Sequence, residues 1–389
     1  MQIPQNKIQI PIRYVLLGFG AWNLGFKLDT MKLTNVASFF IVAIGIIAAL
    51  VYGQGLFIPL ILAVLLWFIM RKLKMLLDKI EFVRERVPSW VKTVISGFII
   101  VVVINIAANI LASNINNLAQ SYPKYQPNIK LIISQLSLVF NVDLIEMIKV
   151  QSADFNIGAV LGPILNSLSG IIGKFFLIIV YALFILFEES FFNSKLDILF
   201  KDKNEYEKFS HITKKIEDSI TGYLGVKTFT SLLTGSLSYI VLLLIGIDSP
   251  VFWAFLIFLL NYIPTVGSLV ATALPALFCL LQFGGFQEAI IVLTVVGAVQ
   301  LLIGSLLEPR LLGSSMNISP LVVILSLSVW GLLWGPTGMI LSIPITVTMV
   351  IVFAQFESTR PAAIMLSEKG KVDVGFRRAR RGAKKKIKK

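Results

Sequence analysis

VFWAFLIFLLNYIPTVGSLVATALPALFCLLQF, residues 251–283, and PLVVILSLSVWGLLWGPTGMILSIPITVTMVIVFAQF, residues 320–356, are the stretches that decide the fold. At 33 and 37 residues both are almost wholly apolar and too long for one straight crossing. A helix of 33 residues runs about 50 Å, against a hydrocarbon core of about 30 Å. Both are also broken in the middle, the first at Pro264-Thr265-Val266-Gly267 and again at Pro275, the second at Gly335-Pro336-Thr337-Gly338 and again at Pro344. The tips make a weak internal repeat, with Thr265 and Thr337 standing 72 positions apart. Proline removes a backbone donor and frees a carbonyl, which in lipid survives only where protein or a water-filled cavity satisfies it. Two half-helices in a re-entrant hairpin account for each block. Crossing by every half-segment, or one bent helix per block, closes the topology equally well. Paired interrupted segments of this kind point to the substrate site of a transporter.

The rest of the composition agrees. Of 389 residues 56% are hydrophobic and only 14% charged, where a soluble domain carries about 25% charged residues. The chain therefore reads as an all-α polytopic membrane protein with about eight transmembrane helices. One cysteine, Cys279, and one histidine, His211, are too few for a disulfide or a zinc centre, and no cofactor is implied. Gly222-Tyr223-Leu224-Gly225-Val226-Lys227-Thr228 has the wrong glycine spacing for a triphosphate loop, so ATP drive within this chain is not expected. Net charge is +14, of which residues 368–389 hold +9. The basicity is a property of this tail, whose Arg377, Arg378, Arg380, Arg381, Lys384, Lys385 and Lys386 suit anionic lipid at the membrane surface. Nucleic acid ranks far below lipid as a partner, because no aromatic is interleaved beyond Phe376.

Charge bias sets the order of segments. Residues 1–30 form an N-terminal extension, read either as untranslated, with Met31 as initiator, or as an interfacial helix. Residues 31–113 carry three membrane helices. Between the second and third lie Arg71, Lys72, Lys74, Lys79, Arg84 and Arg86, a cytoplasmic signature that places both termini inside. Residues 114–167 read as an extracytoplasmic helical subdomain with a turn at Pro123 and Pro127. Residues 168–247 hold helices four and five around a cytoplasmic amphipathic segment, 191–222. Residues 248–357 are the transport half with the broken helices, and 358–389 are the basic cytoplasmic tail.

Polar groups at membrane depth are costly and so are the first functional candidates. Asn261, Gln282, Gln300, Glu308 and Arg310 qualify. Glu308 and Arg310 lead: the carboxylate suits a proton or monovalent cation, the guanidinium an anionic or hydroxyl-rich solute. In the bland reading they pair with each other or with backbone at a helix end. Lys174 and Lys227 read as interface residues reaching toward water. The break residues Pro264, Gly267, Pro275, Pro309, Gly313, Pro320, Gly335, Pro336, Gly338 and Pro344 complete the expected pathway.

These strings carry a resemblance. Asn261-Tyr262-Ile263-Pro264-Thr265-Val266-Gly267, Glu308-Pro309-Arg310-Leu311-Leu312-Gly313, Ser319-Pro320-Leu321-Val322-Val323 and Gly335-Pro336-Thr337-Gly338 with Pro344 together resemble the signature of the autoinducer-2 exporter family of bacterial membrane proteins. The likeness runs from about Met31 to Phe356, and the joint order of the motifs is its specific part. It departs at residues 265–268, where relatives often have an aromatic and a further proline, and at Ser319, often a histidine. The resemblance implies a multi-span transporter, usually counted as eight helices with both ends cytoplasmic, that assembles as a homo-oligomer. Members are associated with export of the quorum-sensing furanosyl signal or with sodium/proton exchange. The expected function is a secondary transporter or facilitator exporting a small polar solute, autoinducer-2 being one candidate. A sodium/proton exchanger is the alternative and a membrane scaffold presenting the basic tail the remote one. No enzyme activity is expected, since the apolar half offers no histidine for an acid-base set.

Overall fold

The computed structural model describes residues 33–140, 157–200, 202–313 and 316–372. These residues form helices and turns, with no strand among them. In chain order the helices are α1 (Leu33–Tyr52), α2 (Gln54–Leu77), α3 (Glu81–Arg86), α4 (Ser89–Phe140), α5 (Ile157–Leu199), α6 (Lys203–Ile245), α7 (Pro250–Leu260), α8 (Val266–Phe283), α9 (Phe286–Leu301), a π-helical turn (Leu302–Leu307), α10 (Glu308–Leu312), α11 (Pro320–Phe353) and α12 (Arg360–Leu366). The chain divides into two compact units, Met1–Ala49 and Leu50–Lys389. The first holds most of α1 and the second all that follows. The extension 1–30, Met31 and the basic residues Arg377 to Lys386 lie outside the described residues.

Six helices among the described residues are long and apolar enough to cross a membrane: Gln54–Leu77, Ser89–Asn114, Lys203–Ile245, Val266–Phe283, Phe286–Leu312 and Pro320–Phe353. Several are far longer than a crossing needs. α4 has 52 residues and α5 and α6 have 43 each. At 1.5 Å per residue these are about 78 and 65 Å long, so each projects well beyond a core of about 30 Å. The amphipathic stretch 191–222 is accordingly not an element of its own. It consists of the end of α5 and the start of α6, which meet at Asp202, whose side chain caps α6 by accepting from Asn204 N at 2.9 Å. Gly246, at φ 82°, ends α6 in the left-handed region and returns its N–H to Leu242 O and Leu243 O.

The turn expected at Pro123 and Pro127 does not form, because both prolines lie inside continuous α4. Each costs the helix about 3 kcal/mol, and tertiary bonds around them offset that. Tyr125 is buried and donates its hydroxyl proton to Asp248 Oδ2. Asn128 Nδ2 donates to Leu281 O at 3.0 Å and Gln282 O at 2.8 Å.

α6 is the hub of the second unit, packing against α2, α7, α9, the π-helical turn, α10 and α11. Its approach to α7 is close because Gly235 faces it. A Cβ there would come 3.1 Å from Ala254 O and 3.2 Å from Phe258 Cβ, and Ser231 and Ser238 on the same face are fully buried. Small residues at such a seam let two membrane helices meet backbone to backbone.

Both long blocks double back. A Cβ on Gly267 would fall 1.8 Å from Leu260 O, and one on Gly338 would fall 1.9 Å from Trp330 O. In a straight helix, residues seven or eight apart are separated by about 10 to 12 Å, so the chain reverses at each tip and neither block is a single bent helix. The first reversal uses Thr265 at φ 59°, ψ −61°, the second Gly335 at φ 60°, ψ −146°. The arms are α7 and α8 in the first hairpin, and 320–334 and 336–353 in the second. Pro275 and Pro344 are buried inside the second arm of each. Lacking an N–H, each leaves the carbonyl four residues earlier without its helical partner.

Candidate functional site

The hairpins lie against α6 from opposite ends. The base of the first adjoins the C-terminal end of α6, where Asp248 N donates to Gln282 Oε1 at 2.7 Å and Gln282 Nε2 donates to Gly246 O at 2.8 Å. Gln282, a functional candidate by sequence, therefore holds a turn closed. Burial, followed by the Asp248 carboxylate that accepts its proton, pushes the nearby Tyr125 phenol above its usual range. The base of the second hairpin packs in one cluster with Ile212, Ile216 and Tyr223, toward the other end of α6.

Between these ends α6 presents Tyr223, Lys227, Thr230 and Thr234, spaced i, i+4, i+7 and i+11 and hence on one face. All four are buried. Opposite them the chain leaves α9 through the π-helical turn and arrives at Glu308. Pro309 accounts for the widened turn: it has no N–H to give to Ser305 O, and its ring crowds that carbonyl. The result is a chelated ion pair, with Lys227 Nζ 2.7 Å from Glu308 Oε1 and 2.9 Å from Oε2. Thr230 Oγ1 donates to the same carboxylate at 3.4 Å. The Lys227 side chain is 8% exposed and that of Glu308 17%.

Lys227 is thus the counter-ion of Glu308 rather than a residue reaching toward an interface. Arg310 is not that partner: it is exposed and makes no ion pair among the described residues. Residues two apart on a helix face different directions. Lys227 and Glu308 stand 81 positions apart, and no local signal in the sequence connects them.

The first tip reaches α6 next to this pair. Tyr262 OH and Thr228 Oγ1, the residue after Lys227, are hydrogen-bonded at 2.8 Å. Asn261 is buried beside Tyr262, and Pro264 and Gly267 complete the tip. Tyr223 OH is buried without a hydrogen-bond partner among the described residues. Gln300 is buried near the end of α9, its Nε2 without a partner among the described residues. The second tip lies elsewhere. Trp334 Nε1 donates to Leu50 O at 3.0 Å, just before α2, placing Gly335, Pro336 and Gly338 at the far end of that helix. Gly313 caps α10 at φ 53°, and Pro320 opens α11.

Among the described residues no three His, Cys, Asp or Glu side chains gather as metal ligands do. The chemistry on offer is a buried carboxylate and ammonium with the Thr230 hydroxyl on the carboxylate. Such a set can exchange its internal bonds for bonds to a solute or ion without leaving a charge unpaired.

Residues 39–358 match the model of the AI-2E family transporter. The chain is 32% identical over 330 residues to AI-2 transport protein TqsA of Escherichia coli K12, covering 84% of this chain and 93% of that one. It is 28% identical over 338 residues to a chain of Borreliella burgdorferi with a provisional transport-protein name, covering 85% and 90%. A similarly named chain of Haemophilus influenzae is 29% identical over 292 residues, covering 73% and 84%. With its six apolar helices the protein is a multi-pass protein of the cell membrane. A family match across both broken hairpins and the Lys227–Glu308 pair settles its kinship: the chain belongs to the AI-2E transporter family.

Proposed function

We propose that this protein is a secondary transporter that exports a small polar solute, with the Lys227–Glu308 pair on the solute's path and the two hairpins as the elements that move around it. In this reading about eight segments cross the bilayer, the hairpins are re-entrant, both termini are cytoplasmic, and the chain works as a homo-oligomer with its basic tail on anionic lipid. Autoinducer-2 is the first solute to test, since the Escherichia coli relative is named for its transport. The observation that carries the reading is the buried ion pair, one residue along α6 from the bond that holds the tip of a broken hairpin. A charge pair so placed costs several kcal/mol of desolvation per ion that an inert helix contact would not need.

The test is counterflow in proteoliposomes of the purified protein. Labelled autoinducer-2 that exchanges across the membrane in wild type, and not in Glu308→Gln, supports the reading. Wild-type liposomes that move sodium against protons but no solute would make the protein an exchanger instead. Removal of residues 373–389 leaves transport in place if the tail serves only lipid contact, whereas loss of function with flux intact would favour the scaffold.

A further inference from the structure

A cavity lined by charged groups lies apart from the pair. Where α2, α5 and α6 meet, a cavity of about 450 Å³ opens, within the size range of small-molecule sites. A second of about 260 Å³ adjoins it through Arg71, Met75 and Glu189. Arg71 of α2 is the central group: its NH1 lies 3.1 Å from Glu217 Oε2 on α6 and its Nε 3.7 Å from Glu189 Oε1 on α5. The guanidinium also stands over the Trp67 ring at 5.6 Å from its centre, and Trp67 Nε1 donates to Glu189 Oε2 at 2.7 Å. One side chain therefore bridges three helices, α2, α5 and α6.

The lining narrows the chemistry of an occupant. Arg71, Lys72 and Lys214 are balanced by Glu189, Glu217 and Asp218, so a solute with net charge gains no counter-charge there. The paired charges can instead donate to and accept from hydroxyls, while the rings of Trp67 and Phe209 offer flat surfaces to C–H faces.

The cavity and Lys227 share one helix, α6. Its wall ends at Thr221, and Thr221, Gly225 and Thr228 are spaced i, i+4 and i+7, on one face of α6. A Cβ on Gly225 would meet nothing within 4 Å, so this face is open between the cavity and the Thr228–Tyr262 bond. The distance along the helix from Thr221 to Thr228 is about 10 Å.

We propose that the α2/α5/α6 cavity is an access site that holds the transported solute before it reaches Lys227 and Glu308, and that its ligand is a small, net-neutral molecule bearing several hydroxyls. This rests on the transport reading above.

Its test uses full-length protein in membrane vesicles, with Thr221→Cys placed in a Cys279→Ala background and labelled by a water-soluble maleimide. D-ribose, sodium succinate and choline chloride serve as neutral, anionic and cationic competitors at equal osmolarity. The expected result is a several-fold slower labelling with D-ribose, no change with the two charged compounds, and loss of the protection in the added Arg71→Lys variant, which removes the fork that spans both carboxylates. Equal labelling with all three, or protection by a charged compound alone, would overturn the proposal. Labelling does not require flux, so the two ideas fail separately. Protection without transport would break the transport reading and leave a binding site, while transport without protection would remove the access site alone.

Discussion

The two hairpins share a sequence pattern but are built and held differently. The first turns through Asn261–Thr265, with a β-branched residue in the left-handed half of the map, and its tip is bonded to a hydroxyl beside the buried ion pair. The second turns on Gly335, for which the same region carries no Cβ penalty, and its tip is bonded through Trp334 to the backbone of Leu50. Strain at Thr265 is of the kind that persists only where the surroundings enforce it. The comparison teaches that a repeat in sequence need not be a repeat in role: the first tip is strained and touches the chemistry, and the second is relaxed and anchored to the scaffold.

The most disruptive test treats the tips alike. Gly267→Ala and Gly338→Ala each drive a methyl into a carbonyl. Both are expected to cost about 3 kcal/mol or more, at the upper end of overpacking. The yield of monodisperse protein in detergent reads this, with Gly225→Ala as the unaffected control.

Next in size is the pair. Lys227→Met alone should cost about 3 to 5 kcal/mol by stranding the Glu308 carboxylate. Lys227→Met with Glu308→Gln should recover most of that loss, as thermal unfolding in detergent would report.

The turn residues then separate the hairpins. Gly335→Thr should destabilise by about 1 to 3 kcal/mol, whereas Thr265→Gly relieves strain against the added freedom of glycine and should be neutral or stabilising by about 1 kcal/mol. Equal signs in the same unfolding assay would erase the contrast.

Smallest are the latches. Tyr262→Phe removes one hydrogen bond, worth about 1 kcal/mol, and Trp334→Phe removes one together with part of a buried ring. Of the two, only Tyr262→Phe should change solute flux out of proportion to its effect on stability.

Much of this was legible in the sequence because prolines and glycines report on the backbone directly. The breaks at 264–267 and 335–338 could be located, and a helical membrane protein followed from apolar length alone. The site was legible only on one side. Glu308 stood out as a carboxylate in an apolar region, but its partner depends on how α6 packs against the chain after the π-helical turn, and Arg310 was nearer in sequence. Pro123 and Pro127 misled for the complementary reason, since local chemistry favoured a turn and bonds from Tyr125 and Asn128 to residues more than 120 positions away prevailed. The Arg71 bridge likewise joins three helices, while in the sequence Arg71 reads only as one of a run of cytoplasmic basic residues.

The central claim is that the Lys227–Glu308 pair acts in transport and does not merely fasten α6 to the chain beside it. Flux in proteoliposomes of the doubly neutral variant, Lys227→Met with Glu308→Gln, tests this most directly, because the fold is expected to survive the change. A folded double variant with flux reduced at least 100-fold is the predicted result. A folded double variant that transports at the wild-type rate would contradict the account.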